Sequence, residues 1–120
     1  MNLQNELDGI TVLSLEQAVA APYCGMLLAD AGARVIKVER PEGDFARGYD
    51  SGANGKSSIF AWLNRGKESI CLDINKHSDR ELLGRMIKKS DVLLSNLAPR
   101  TLTRKGFSSK FIRGLNNKII

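Results

Sequence analysis

Two side chains of complementary chemistry, Glu39 and Arg40, stand together in Val38-Glu39-Arg40-Pro41-Glu42-Gly43-Asp44, where an apolar run gives way to a loop. If that run is a buried strand, the pair lies at its carboxyl end, which is where ligands bind in open α/β sheets. A carboxylate there suits the ribose hydroxyls of NAD. A guanidinium pairs with a phosphate or stacks on a purine, as an adenosine carrying extra phosphate requires. The first loop separates the two readings. Glu16-Gln17-Ala18-Val19-Ala20-Ala21-Pro22 contains no G-x-G-x-x-G, so backbone amides have no glycine bed on which to approach a pyrophosphate. Arg40 is therefore the residue to follow, against the blander alternative of a surface arginine paired with Glu39 or Glu42.

The elements that must position this pair begin with a strand-helix-strand unit. Ile10-Thr11-Val12-Leu13-Ser14-Leu15 is short, apolar and β-branched, Pro22 through Asp30 carries helix formers and stops at Gly32, and Arg34-Val35-Ile36-Lys37-Val38-Glu39 repeats the strand signature. Two such strands joined by one helix imply a parallel pair with a right-handed crossover. Pro41 to Ser58 holds four glycines and no clear period, so it reads as a long loop, though Asp44, Phe45, Arg47 and Tyr49 make it too specific for a linker. Ser69-Ile70-Cys71-Leu72-Asp73-Ile74 reads as a third strand. Ser78-Asp79-Arg80-Glu81 reads as a capping box that starts a helix with Leu82, Leu83, Met86 and Ile87 on one face. Val92-Leu93-Leu94 is the fourth strand, and Asn96-Leu97-Ala98-Pro99 turns the chain at its carboxyl end, where Asn96 either offers an amide to a ligand or satisfies the turn. Ser108 or Ser109 caps a short helix carrying Phe111, Ile112 and Leu115. The fold class expected is α/β, a Rossmann-like parallel sheet with flanking helices.

Composition narrows the function. The 120 residues fit one domain, with no repeat and no low-complexity tract. The N-terminus has no basic n-region, and Pro22, Tyr23 and Asp30 break the most apolar window, so neither a signal peptide nor a membrane span is expected and the cytoplasm is the default. Cys24 and Cys71 lack metal or redox spacing and read as small buried hydrophobes; His77, the one histidine, reads as a solvated loop residue just before a helix, and no metal is expected. The net charge of +5 is uneven: residues 1–60 carry −3 and residues 61–120 carry +8. With few aromatics and no reader motif, the basic half is not expected to bind nucleic acid; it reads as solvated helix face, with part of it available to surround a polyphosphate cofactor.

Read in order, Leu7-Asp8-Gly9-Ile10, Ala20-Ala21-Pro22-Tyr23-Cys24, Leu27-Leu28-Ala29-Asp30-Ala31-Gly32-Ala33, Val35-Ile36-Lys37-Val38-Glu39, Asn64-Arg65-Gly66-Lys67, Leu72-Asp73 and Asp91-Val92 resemble the family III CoA-transferases, relatives of formyl-CoA transferase, carnitine CoA-transferase and α-methylacyl-CoA racemase. The resemblance runs from about Leu7 to Ile120. The blocks Ser14 to Pro22, Gly43 to Asp50 and Asn96 to Pro99 look most like members acting on itaconate, mesaconate, citramalate and succinate. It implies that residues 1–120 are the N-terminal, incomplete portion of the large CoA-binding domain. Coenzyme A or acyl-CoA would lie at Val19 and Ala20, at Arg40, along Leu72, Asp73, Ile74 and Asn75, at Asn96, Leu97 and Ala98, and at Arg104. The two arginines would serve phosphate and adenine, and backbone groups of the two loops would hold neutral parts. Arg100 departs from the glycine usual after the proline, and if φ there is positive an arginine costs on the order of 1 kcal/mol.

The resemblance further implies transfer of CoA from an acyl-CoA to a small carboxylic acid, with an aspartate carboxylate attacking the thioester, in a homodimer. The segment that carries that aspartate follows the one matching Asn116 to Ile120, so Asp44, Asp50, Asp73 and Asp91 are not nucleophiles; Asp73 and Asp91 are expected to organise backbone at strand boundaries. Lys118-Ile119-Ile120 begins an apolar run as a fifth strand would, so the chain is expected to be truncated, inactive alone, and to leave a sheet edge uncovered. A racemase-like isomerase or a non-catalytic gene remnant are the alternatives.

Overall fold

A computed structural model describes residues 5–120. The elements follow as Thr11–Leu15 (β1), Ala20–Asp30 (α1), Arg34–Glu39 (β2), Ser58–Leu63 (α2), Lys67–Cys71 (β3), His77–Lys88 (α3), Val92–Ser95 (β4), Thr101–Arg104 (α4) and Ser109–Leu115 (α5). All four strands are parallel, in the order β3-β2-β1-β4.

The inner strand β1 is buried on both faces, which is why it reads as a continuous apolar run rather than an alternation. Val12 packs with Ala33 and Val35 beneath Leu28 and Ala29 of α1. On the opposite face Leu13 and Leu15 join Val38, Leu83 and Ile87 of α3, Phe107 and Ile112. Every crossover therefore brings its strand ends, and the loops after them, to one edge of the sheet. Gly32 makes the α1–β2 turn at φ +99°, where a side chain would meet the Asn5 backbone at 2.9 Å.

Three expectations need correction. The third strand is Lys67–Cys71, not Ser69 to Ile74: it is the edge strand, pairing Val35 with Lys67 through Glu39 with Cys71, and the apolar residues Leu72 and Ile74 leave the ladder to pack on the core. No capping box starts α3. Its N-cap is Lys76, without a side-chain bond, and Asp79 in the first turn accepts from the Asp73 N–H at 2.8 Å. Cys24 and Cys71 are exposed thiols rather than buried ones, one on the outer side of α1 and the other at the end of the edge strand. Ser108 is the cap of α5, accepting from the Phe111 N–H. Asp91 accepts from the Thr11 N–H and Asp73 from the Asn75 N–H, so both organise strand boundaries.

The loop after β2 is anchored, not slack. Asp50 gathers the N–H groups of Gly52, Ser58 and Ile59 and the hydroxyls of Ser57 and Ser58 at 2.7–3.1 Å, and these bonds, that of the Ser58 N–H foremost, hold its carboxyl far below the usual range. Beyond α5, Ile119 is buried in the core, and Ile120 begins a parallel pairing with β4: its N–H donates to Asp91 and its carbonyl accepts from the Leu93 N–H.

Arg100 adopts φ +69°, the left-handed region that disfavours a β-carbon. Arg100→Gly should therefore raise unfolding free energy by roughly 1 kcal/mol, less the entropy that glycine restores to the unfolded chain. Urea denaturation checks this, and a destabilised variant would show that the arginine side chain outweighs its backbone strain.

Candidate functional site

Four acidic and basic side chains meet beneath the carboxyl ends of β1 and β2 and beside the start of β3. Lys37, in the middle of β2 and 1% exposed, donates to Asp44 at 2.8 Å and to Glu16 at 3.3 Å. Lys67, from the start of β3, reaches the same Glu16 oxygen at 2.5 Å and also donates to the Pro22 carbonyl and the Asn64 amide oxygen. Burial pulls the Lys67 amine below its ordinary range, and Glu16 restores part of that shift. Gly25 of α1 is required here, because a β-carbon would lie 2.8 Å from Glu16 Oε2. Two positive and two negative charges compensate one another, so the buried cluster is satisfied without solvent. Its one signal in the sequence is a lysine in the middle of an apolar strand, Val35-Ile36-Lys37-Val38.

Glu39 and Arg40 separate at the end of β2, because successive strand residues point to opposite sides. Glu39, 5% exposed, accepts both arms of the Arg47 guanidinium at 2.7 and 2.9 Å, the Asp44 N–H at 3.0 Å and the Ser69 hydroxyl at 3.1 Å. Burial pushes its pKa up, but the bonds from Arg47 and Asp44, the charge of Arg47 and the Ser69 hydroxyl outweigh it and bring it down to about 2. A carboxylate with four donors has no oxygen to offer a ribose, which removes the NAD reading on geometry as well as on sequence. Arg40 is half exposed and unpaired with Glu39. Its Nε donates to the Gly43 carbonyl at 2.9 Å, its guanidinium lies 5.6 Å from the Phe45 ring centre, and Glu42 stands 4.0 Å away.

Above this layer opens a cleft of about 270 Å³ lined by Leu15, Glu16, Gln17, Val38, Arg40, Leu72, Ile74, Leu97, Ala98 and Thr101, among others. It brings together five of the expected positions: Arg40, Leu72, Ile74, Leu97 and Ala98. The other six expected positions are not among its lining residues. Asp73 and Asn75 are taken up by the loop itself, Asn75 accepting from Lys105, while Arg80 holds the Ile74 and Asn75 carbonyls. Val19 and Ala20 open α1 and are exposed. Arg104 is exposed at the end of α4 and does not line the cleft. Asn96 spends its amide on the backbone of Gln17. Gln17 and Thr101 line the cleft without having been singled out. A larger hollow of about 540 Å³ lies between α3 and α5, lined by Arg80, Arg85, Lys88 and Lys105 among others, and shares no lining residue with the strand-end cleft. No cluster of His, Cys, Asp or Glu among the described residues is arranged to hold a metal ion, and no helix among them is long and apolar enough to cross a membrane.

The family model described as CoA-transferase family III matches residues 7–120. The chain belongs to that family. A family III relative, the formyl-CoA:oxalate CoA-transferase of Afipia carboxidovorans, is 42% identical over 116 residues, covering 95% of this chain and 27% of the relative. The succinyl-CoA:mesaconate CoA-transferase of Haloarcula hispanica is 38% identical over 119 residues, with 95% and 30% covered. A crystal structure of a hypothetical protein from Mycobacterium tuberculosis superposes with a TM-score of 0.90 at 34% identity, over 98% of this chain and 32% of that one. This family III chain thus spans under a third of the length of these relatives.

The depressed Glu39 pKa has a stability consequence with a definite sign. A carboxyl held at about 2 against an ordinary 4.5 stabilises the fold above pH 4.5 and loses that contribution as pH falls toward 2. With Arg47 half exposed, the loss is on the order of 2 kcal/mol rather than the full linkage value. Urea unfolding of the wild type should weaken across that window. Glu39→Gln should be less stable at pH 7 and show a flatter acid limb; an unchanged limb would show that Glu39 is not the titrating group.

Proposed function

We propose that these residues form the coenzyme A-binding portion of an acyl-CoA:carboxylate CoA-transferase that moves CoA between short dicarboxylic acids. The observation that carries this reading is Arg40: a half-exposed guanidinium at the rim of an apolar strand-end cleft, with its two terminal nitrogens making no hydrogen bond among the described residues. A buried ion pair would be structural. A guanidinium with free donors beside an aromatic ring suits a phosphorylated adenosine, whose phosphate takes the fork and whose purine stacks.

On this reading Arg40 and Arg104 serve the charged end of the coenzyme. Leu72, Asp73, Ile74 and Asn75 on one side and Asn96, Leu97 and Ala98 on the other supply backbone groups and apolar walls, and Val19 and Ala20 border the cleft where α1 begins. The acceptor class follows from the relatives, whose names specify oxalate and mesaconate, both short dicarboxylates. The acyl exchange runs through an aspartyl anhydride and then an enzyme thioester, so that one difficult transfer becomes covalent steps. Asp44 is bonded to Lys37, Asp50 to five donors, and Asp73 and Asp91 to backbone, so none of these four is free for that role. On this reading the 120 residues assayed alone should bind coenzyme A without turnover.

Titration calorimetry with coenzyme A tests the assignment. Arg40→Ala should weaken binding by roughly 1.5–3 kcal/mol, toward the lower end for a half-exposed group. Arg40→Lys should recover little of it, since an ammonium neither forks nor stacks. Equal affinity in wild type and Arg40→Ala would remove Arg40 from the site.

A further inference from the structure

We propose that Asn96 is a positioning residue for the strand-end cleft, acting through the backbone of Gln17 rather than on the ligand. The inference rests on the coenzyme A reading above and deepens it.

The Asn96 carboxamide makes a reciprocal pair with one residue 79 positions earlier. Its Oδ1 accepts from the Gln17 N–H at 3.0 Å, and its Nδ2 donates to the Gln17 carbonyl at 2.8 Å. The β1–β4 ladder ends at Leu15 opposite Ser95. A side-chain amide that donates to and accepts from one backbone residue imitates the ladder just where it stops, and so carries the β1–β4 pairing into the loop.

The next residue is strained. Ala18 has φ +62°, a left-handed conformation that its β-carbon disfavours. Its N–H donates to Asp44 Oδ1 at 3.1 Å, and Asp44 is itself fixed by Lys37 and by the Ala46 N–H. Ala18 thus sits directly between two side-chain clamps, one from β4 and one from the loop after β2. Such strain persists only where the surroundings over-determine it, and here they do so at a cleft wall, since Glu16 and Gln17 both line it. Released from Asn96, the Gln17–Ala18 segment would relax toward extended backbone, carrying with it the start of α1 at Val19 and Ala20. Asn96 therefore sets the cleft's shape across the gap between two strands, and its remaining hydrogen-bonding capacity is secondary.

Asn96→Asp is the near-isosteric test: it keeps an acceptor for the Gln17 N–H and sets a carboxylate oxygen against the Gln17 carbonyl. Amide hydrogen exchange at Gln17 and Ala18 should accelerate, and coenzyme A affinity should fall about tenfold, the scale of one net hydrogen bond. Adding Ala18→Gly, which removes the strain that drives the loop away, should restore part of that affinity; a direct ligand contact would not be rescued this way. Reduced affinity with unchanged exchange at Gln17 and Ala18 would overturn the proposal, as would faster exchange with full affinity. If wild type binds no coenzyme A yet Asn96→Asp still accelerates exchange, the clamp on the loop is supported and only the coenzyme reading falls. Should Asn96→Asp not fold, Asn96→Ser reads the same two quantities without adding charge.

Discussion

The arrangement of this chain depends on one ammonium group, that of Lys37, placed in the middle of a strand that the sheet buries on both sides. An isolated charge in that position costs several kcal/mol even after relaxation, so the strand ends must supply carboxylates. Glu16 comes from the first loop and Asp44 from the loop after β2, and Glu16 then calls for Lys67 from the edge strand. The cluster does little for net stability compared with well-packed apolar residues, but any register shift would strand one of its members. It therefore ties the loops after β1 and β2 to the start of β3, and both loops line the cleft.

This also explains which parts were legible in sequence. β1 and β2 were readable because apolar runs bounded by turn residues leave few alternatives, and α1 because a glycine with positive φ ends it. The third strand was displaced because an edge strand is apolar on one side only: Lys67, Glu68 and Ser69 do not look like a strand, whereas Leu72 and Ile74, which do, are core residues of the loop beyond it. The expected capping box fails for a local reason: α3 already begins at His77, so Ser78 lies inside the helix, and Asp79 serves the loop before it. The strand misreading comes instead from long-range pairing, which local pattern does not carry. The buried charge cluster was missed on the same ground, since its members are spread from Glu16 to Lys67 and only the fold brings them together.

Arg100 shows the converse, a position where knowledge of the family's pattern was more informative than the residue itself. The backbone there has the conformation that a glycine would take freely, and an arginine occupies it. The β4–α4 connection is held by its neighbouring residues: the Thr101 N–H donates to the Ala98 carbonyl, and the Arg104 N–H donates to the Arg100 carbonyl. Conformation at a cleft wall can thus be retained by the surroundings while the side chain that would favour it is absent.

The division of labour between Glu39 and Arg40 follows from strand geometry. Adjacent residues at a strand end face opposite sides, so one is drawn into the layer of buried charge while the other is left at the rim. The carboxylate that makes the sequence look like a dinucleotide site is spent on Arg47, Ser69 and the Asp44 N–H, and in return fixes the loop that delivers Asp44 to Lys37. The arginine, by contrast, bonds only through Nε, to the Gly43 carbonyl, with Glu42 4.0 Å from that same nitrogen, and its terminal nitrogens make no hydrogen bond among the described residues. A half-exposed cation above an apolar cleft favours a ligand that is long, with its charge at one end outside and its neutral length inside. A small anion would gain only the screened contact at the rim, whereas an extended ligand would add burial along Leu72, Ile74, Leu97 and Ala98, which is the physical basis of the coenzyme A proposal.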